Sequence, residues 1–346
     1  MPWSNTDKVL MRGLPAGKRT RGGPQLRTHA AGGGLPAEVP APPEPPRDEA
    51  PHRLADHGYG KDSVKLLHVR RDGARHTIRE YEVDTRLRLH SQRDFLTGDN
   101  RDIIATDTQK NTVHVLAKKH GVQSPEDFAL LLCAHFLYTY RHVDEASAHV
   151  QESPWERLSV DAAEHNHAFI FSPKAMRVCT VTQRRNEPPR IEGGLKNLRV
   201  LKTTQSAFTD FVQDEYRTLP DANDRIFSTV VSATWEYSTA TGVDFDHVWD
   251  VVKECVLDRF AGPPDEGIFS PSVQNTLYLT EKMILDQVPQ IRRVEMQMPN
   301  KHYFTLDMSK FPAGLVRGEN KEVYEPVDKP SGIIHAALVR RETSRL

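Results

Sequence analysis

Two Ser-Pro pairs, Ser124-Pro125 and Ser270-Pro271, constrain the fold most, because each comes directly before a stretch with apolar residues at helical spacing. Serine is a preferred N-cap and proline a preferred first residue of a helix, so each pair predicts a helix start. Segments with strand-type alternation lie before and after both helices. This order of elements predicts an α+β fold of two tandem domains, each an antiparallel sheet with helices packed on one face.

The same patterns predict the individual elements. Asp102–Lys118, which ends in the run Thr112-Val113-His114-Val115-Leu116, is predicted to be a strand. A further helix is predicted over about Asp244–Phe260, and Gly262-Pro263-Pro264 is expected to end it. Other strands are predicted at Ser63–Val69, Thr77–Leu89, Ala146–Val150, His167–Phe171, Val178–Gln183, Leu198–Lys202, Arg225–Tyr237, Ile291–Met298, His302–Met308 and Gly332–Arg340.

Residues 1–57 differ from the rest of the chain. Ten of the 24 prolines lie in residues 1–51, together with a glycine run at Gly32–Gly34. Such a segment buries too little apolar surface to offset its ordering entropy, so we predict a disordered extension. Its six basic residues among the first 30 also suggest a mitochondrial transit peptide, but glycine and proline oppose the amphipathic helix that one needs. The two ordered domains are predicted at 58–195 and 196–343.

Composition excludes several classes of protein. Lysine plus arginine (46) and aspartate plus glutamate (47) nearly cancel, so no nucleic-acid partner is predicted. No apolar run reaches the roughly 20 residues of a membrane-spanning helix, so no membrane partner is predicted either. Three widely spaced cysteines, Cys133, Cys179 and Cys255, stand among apolar residues. They predict buried free thiols in a reducing compartment.

Four short segments carry the most specific pattern, and two more accompany them. They are YGKD at Tyr59–Asp62, ATDTQKNTVHVLAK at Ala105–Lys118, SPSVQNTLY at Ser270–Tyr278, PNKHYF at Pro299–Phe304, LKTTQSAF at Leu201–Phe208 and the NDRIF that contains Arg225.

In this order and spacing the segments resemble the signature regions of urate oxidases, or uricases, over about residues 58–346. FAGP before the third segment and the terminal Ser344-Arg345-Leu346 look more like animal members of that family. The resemblance implies the tunnelling fold, in which paired domains assemble into a β-barrel. It implies a homotetramer with sites at subunit interfaces and no metal or organic cofactor. It also implies oxidation of urate by dioxygen and water to 5-hydroxyisourate and hydrogen peroxide.

The resemblance assigns seven residues to urate binding, and the chemistry of the four in the second half that surround the ring suits a flat anionic purine. The seven are Thr106, Asp107, Phe208, Arg225, Val273, Gln274 and Asn300. Arg225 supplies a bidentate cation, Gln274 an amide that donates and accepts, and Phe208 a ring for stacking. Val273 lies in the first turn of a predicted helix, where backbone N–H groups lack intrahelical partners. Its N–H is therefore expected to meet an acceptor on urate.

The resemblance assigns a second set to catalysis. Lys61 is the base, acting with Thr106 and relayed through His302, and a lysine serves as base only when it is neutral. Asn300, two residues before His302 on a predicted strand, is expected to hold dioxygen and later the attacking water. Asp107 either contacts the substrate or orients the loop.

Two alternatives remain open. One is a purine-binding protein that kept the fold and lost the chemistry, which the intact Lys61, Thr106, Asn300 and His302 disfavour. The other is a zinc-dependent pterin or purine enzyme of the same fold. The histidine pair His165 and His167 invites it, but neither has a third ligand at typical zinc spacing.

The terminal Ser344-Arg345-Leu346 is a variant of the peroxisomal address. An enzyme that releases hydrogen peroxide suits a compartment that also holds catalase. We therefore predict a peroxisomal protein that binds the peroxisomal import receptor through this tripeptide.

Overall fold

The computed structural model describes residues 52–312, 314–315, 318, 320–327 and 329–341. The proline-rich residues 1–51 and the tripeptide Ser344-Arg345-Leu346 therefore lie outside the described residues. Residues 52–57 form neither helix nor strand. Nevertheless, His57 contacts the ordered part, since its Nε2 lies 3.2 Å from the carbonyl oxygen of Leu89.

Nine strands form one antiparallel sheet in the order β1-β2-β3-β6-β7-β8-β9-β10, and β11 also pairs with β9. The remaining two strands form a separate hairpin, β4–β5. The strands are β1 Tyr59–Asp72, β2 Arg75–Leu89, β3 Val143–Glu152, β4 Trp155–Val160, β5 Ala163–Phe171, β6 Met176–Arg184, β7 Arg190–Lys202, β8 Phe227–Tyr237, β9 Ile291–Thr305, β10 Tyr324–Val327 and β11 Ile333–Val339.

The helices begin where the caps predict or close to it. Ser124 accepts a hydrogen bond from the backbone N–H of Asp127, and Ser272 accepts one from that of Asn275. In β2, alternate residues from Tyr81 to Leu89 are buried and those between are not, so one face of the sheet is covered. The helices are α1 Arg93–Leu96, α2 Thr106–His120, α3 Pro125–Thr139, α4 Phe245–Ala261 and α5 Val273–Gln287, with a 3₁₀ turn at Met308–Lys310.

The same unit occurs twice along the chain. A strand hairpin, two helices and a second strand pair follow one another as β1–β2, α2–α3, β3–β6, and then as β7–β8, α4–α5, β9–β11. The predicted α+β class and its tandem organisation are therefore confirmed. The predicted domain boundary between residues 195 and 196 falls inside β7, beside a register shift between Leu195 and Leu198.

Three predicted elements were wrong in type, start or continuity, and some predicted strands, such as Leu198–Lys202 in β7, are shorter than the observed ones. Asp102–Lys118 is not a strand, because most of it is helix α2. Its buried residues Gln109, Val113, Leu116 and Ala117 follow helical spacing, so packing on the sheet decides the conformation over β-branched propensity. Helix α5 begins at Val273, two residues later than Ser270-Pro271 predicts.

Strand β9 is the third correction. Ile291–Met298 and His302–Met308 are one continuous strand that ends at Thr305. Pro299 suggested a break, since proline cannot donate to a ladder. In the sheet it is paired only with Ile333 of β11, so β9 continues through it.

Cys133, Cys179 and Cys255 are free and buried, as predicted. Burial raises the pKa of Cys133 to about 12 and that of Cys255 to about 11, so both thiols stay protonated. Within the described ranges, every helix is too short or too polar to cross a bilayer.

Candidate active site

The connection between β7 and β8, residues 203–226, carries Phe208 and Arg225. Phe208 exchanges backbone hydrogen bonds of 2.8 and 3.0 Å with Ala222, and Arg225 N–H donates to the carbonyl of Ser206 at 2.8 Å. These bonds join the beginning of the connection to its end. Both side chains are therefore held by backbone hydrogen bonds, although neither lies in a regular element.

Arg225 lies against the face of Phe208, with its Cζ 5.1 Å from the ring centroid. Both side chains are half-buried, and the Nε of Arg225 is buried without a hydrogen-bond partner. Burial lowers the pKa of Arg225, but an arginine remains charged at neutral pH. A planar cation beside an aromatic face, with a donor left over, is suited to a flat anionic ring.

The N-terminus of α5 offers two further donors. Val273 and Gln274 are its first two residues, so their N–H groups have no intrahelical acceptor. The Val273 side chain is buried and anchors the turn, whereas the Gln274 amide is exposed. Val273 therefore lies in the first turn of a helix as predicted.

Hydrogen bonds join the connection between β7 and β8 to the segment before α5. Ala207 N–H donates to the carbonyl of Ser270 at 3.0 Å, and Ser270 N–H donates to that of Gln205 at 2.8 Å. Phe208 and the start of α5 thus belong to one assembled region. The hydroxyl of Ser206 in this region is buried without a partner.

Lys202, the last residue of β7, has a role in this region that the sequence reasoning missed. Its Nζ donates to the carbonyl of Ile268 at 2.7 Å and to the hydroxyl of Ser270 at 2.8 Å. It also lies over the rings of Phe227 and Phe260. Burial lowers the pKa of Lys202 to about 8. In sequence, it is a lysine at the end of a strand inside the LKTTQSAF segment, and a lysine at a strand end is equally typical of a solvated cation.

Strand β9 brings Asn300 and His302 to the same side, two residues apart. Asn300 lies opposite Thr229, whose hydroxyl is buried without a partner. The pKa of His302 is lowered by burial and by the charge of Arg225, so its imidazole is neutral at neutral pH. The influence of Arg225 on His302 places both in one electrostatic environment.

Lys61, Thr106 and Asp107 form a second group in the first half of the chain. Lys61 is half-buried on β1, and Thr106 is the first residue of α2. Asp107 is exposed and accepts hydrogen bonds from Lys110 and Asn111 of its own helix. The hydrogen bond from Lys110 is the main cause that lowers its pKa, and the charge of Lys61 contributes.

One chain does not bring the two groups together. The residues paired with Lys61, followed from strand to strand across the sheet, lead to Ile191 on β7. The residues paired with Asn300 lead to Val200 on the same strand. At about 3.3 Å per residue these rows are roughly 25–30 Å apart along the strands, and β1 and β8 are five strands apart. The first row runs Lys61, Thr85, Ala148, Val181, Ile191, and the second runs Asn300, Thr229, Val200.

A family model described as Uricase matches residues 57–182 and 191–335. These two segments cover most of the chain and contain every residue of both groups. The chain belongs to the uricase family. The unmatched residues 183–190 fall at the turn between β6 and β7, where the first repeat of the fold ends.

Relatives from animals and bacteria resemble the chain over most of its length. A uricase of Drosophila pseudoobscura pseudoobscura is 51% identical, over 85% of this chain and 91% of its own. A uricase of Danio rerio is 48% identical, over 84% of this chain and 95% of its own. The crystal structure of uricase from Arthrobacter globiformis shares 34% identity and a TM-score of 0.77, covering 85% of this chain and 97% of that one.

These relatives give no support to the zinc-dependent alternative. Among the described residues, no group of three or more His, Cys, Asp or Glu side chains is arranged to hold a metal. The rings of His165 and His167 are 4.6 Å apart, but the Nδ1 of His165 accepts from the backbone N–H groups of His167 and Ala168. That imidazole therefore binds the backbone of the part of β5 where its register with β4 shifts.

Proposed function

We propose that the protein oxidises urate with dioxygen and water to 5-hydroxyisourate and hydrogen peroxide. Membership of the uricase family supports this reaction. The observation that carries it is the half-buried Arg225 against Phe208, with a buried Nε that has no protein partner. A flat anion with acceptor oxygens satisfies both the charge and the unpaired donor.

Substrate binding uses the second half of the chain. Arg225 pairs with the anionic edge of urate, and Phe208 stacks on the ring. The free N–H of Val273 at the start of α5 meets an acceptor on urate, and Gln274 binds the edge that carries both donors and acceptors. Several weak anion-binding features thus converge on one planar ligand.

The chemistry begins with removal of a second proton, because the electron-rich urate dianion transfers an electron to dioxygen more readily than the monoanion does. Lys61 takes the proton through Thr106, and the neutral His302 takes part in the relay. Asn300 holds dioxygen and then water above the ring. Dioxygen is a triplet, so single-electron transfer comes first, followed by radical recombination to a hydroperoxide. Water then displaces hydrogen peroxide, and urate itself is the reductant, so we propose no metal or organic cofactor.

The separation of the two groups supports a site shared between subunits. A twofold axis perpendicular to the strands exchanges the two ends of the sheet. It brings the Lys61 end of one chain to the Arg225 end of the other, and it does so twice. Pairing the edge strands of two chains also closes the sheet into a barrel without free edges. We propose a homotetramer built from such pairs.

Complementation between two damaged chains tests this arrangement. Thr106→Ala and Arg225→Ala are each expected to be nearly inactive alone. In a mixed pair, one site carries both substitutions and the other carries none, so co-expression restores activity well above the sum of the two variants. The measurement is the loss of urate absorbance in purified mixed oligomers. Mixed oligomers that remain inactive would show that each chain builds its own site.

We also propose that the protein works in peroxisomes. Ser344-Arg345-Leu346 supports this as a variant of the peroxisomal address, and release of hydrogen peroxide suits a compartment with catalase. The import receptor is then a further partner.

A further inference from the structure

Two buried polar side chains near Lys61 and Thr106 have no part in the proposed chemistry. Thr85 on β2 and Gln109 on α2 are both fully buried. The Thr85 hydroxyl donates to Gln109 Oε1 at 2.8 Å, and Gln109 Nε2 donates to the carbonyl of Ile104 at 3.3 Å. The N–H of Ile104 in turn donates to the Tyr59 hydroxyl at 2.8 Å. These four residues are called the Thr85–Gln109 bridge below.

The bridge connects the two elements that carry the proposed proton relay. Thr85 lies directly opposite Lys61 in the β1–β2 ladder. Gln109 is one helical turn after Thr106, and Ile104 is two residues before it. The bridge therefore starts beside Lys61 and ends on both sides of Thr106.

The packing between these strands leaves little freedom. A Cβ on Gly60, the residue before Lys61, would lie 1.7 Å from the carbonyl oxygen of Thr85. Only glycine permits this approach, so β1 lies unusually close to Thr85. The position of Lys61 is thus set by the same residue that donates to Gln109.

A buried amide imposes a specific geometry that an apolar side chain does not. An unpaired buried donor or acceptor is unfavourable, so the bridge persists only at hydrogen-bonding distances. A rearrangement that moves α2 away from β2 breaks it. The Thr85–Gln109 bridge therefore selects one spacing between the helix and the strand.

We propose that Thr85 and Gln109 are positioning residues, which hold Thr106 at proton-transfer distance from Lys61. This inference rests on the proposed function. It adds to that function two residues that touch neither substrate nor oxygen.

The test compares two substitutions at one position. Thr85→Val removes the hydroxyl at nearly constant volume, whereas Thr85→Ser keeps it. For Thr85→Val we expect kcat for urate to fall roughly tenfold to hundredfold, because a displacement near 1 Å costs up to ~10²-fold. KM should stay within about twofold, because the proposed anion and ring contacts are made by Arg225 and Phe208 of the second half of the chain, which the substitution leaves in place. Thr85→Ser should retain nearly the full kcat.

Two further variants separate positioning from stability. Gln109→Leu breaks the same bridge, so the double variant with Thr85→Val should lose no more kcat than the worse single variant. Tyr81→Phe removes another buried hydrogen bond of β2, to the carbonyl of Gln123. It should lower the melting temperature and leave kcat of the folded protein unchanged.

Three results would overturn the inference. They are a normal kcat in folded Thr85→Val, an equal loss of kcat in Tyr81→Phe, and losses that multiply in the double variant. A wild-type protein that does not consume urate would instead contradict the proposed function, so the two failures are distinguishable.

Discussion

The two hairpins that open the repeats differ in how their strands are connected. In the first, Gly73 and Ala74 alone join β1 to β2, and Gly73 has the positive φ of 56° that such a tight turn favours. In the second, residues 203–226 join β7 to β8 and carry Phe208 and Arg225. The same supersecondary unit thus carries the proposed binding residues in one long connection, although both hairpins contain one register shift.

The helix pairs also contribute unequally. In the first repeat Thr106 opens the first helix, α2, whereas in the second Val273 opens the second helix, α5. The candidate site residues are therefore not at equivalent positions of the two repeats. One repeat carries the proposed base and relay, and the other carries the proposed substrate site. If both sets act in one reaction, as proposed, a second copy of the chain completes each site.

The largest expected effect separates these two roles. Lys61→Met should lower kcat by about 10²–10⁴-fold, the usual cost of losing a general base, while urate binding stays within a few-fold. Arg225→Ala should instead weaken urate binding and slow turnover together, because its charge acts on the bound ground state too. Steady-state kinetics and direct binding of urate measure both. If the kcat of Lys61→Met stayed within a few-fold of the wild-type value, the proposed role of Lys61 as the base would be wrong.

The sequence predicted those elements whose signals are local. The caps and apolar spacing of α3 and α4 indicated both helices, and the hairpin β1–β2 follows from alternation around Asp72-Gly73. Helix α2 was not predicted, because its Thr-Val-His-Val run has β propensity, and its packing on β1 and α3 is not visible in the local sequence. Information about packing is not present in a short window of sequence.

The candidate site was predictable only in part. Motif resemblance selected Phe208, Arg225, Asn300 and His302, and the geometry brings Arg225 into contact with Phe208 and into electrostatic reach of His302. The assigned roles remain predictions. Lys202 was not predicted, because its partners are backbone and hydroxyl oxygens more than sixty residues away. No spacing rule relates a strand end to such acceptors.

An intermediate effect is expected at Lys202. The residue ends β7 and holds the segment before α5, whereas β1 ends at the exposed Asp72. Lys202→Met leaves two oxygen acceptors without their donor, so the α5 N-terminus is held less firmly. We expect KM for urate to rise roughly tenfold, since hydrogen bonds to charged groups contribute about 1.5–3 kcal/mol. Lys196→Met, at an exposed position of the same strand, is the matched control and should leave KM unchanged.

The smallest expected effect concerns stability at equivalent positions of α3 and α5. The ninth residue is Cys133 in α3 and Glu281 in α5, and both are buried against a strand. The Cys133 thiol lies 3.5 Å from the carbonyl of Val181, whereas a Glu281 oxygen accepts from the N–H of Met296 at 3.1 Å. The other Glu281 oxygen is buried without a partner. The first repeat thus buries a neutral group where the second buries an acid.

Burial raises the pKa of Glu281 to about 7, above its value in the unfolded chain. The folded state therefore holds the proton more tightly, and the stability from this group is complete below about pH 4.5 and is lost as pH rises through 7. Glu281→Gln keeps the acceptor for Met296 and removes the ionisation. We expect it to raise the free energy of unfolding by about 1–3 kcal/mol at pH 8 and to have little effect near pH 5. Cys133→Ala should cost the same amount at both pH values, because its thiol stays protonated. Urea unfolding at pH 5 and pH 8 measures both, and a Glu281→Gln effect that does not change with pH would mean that Glu281 is ionised in the folded protein throughout this range.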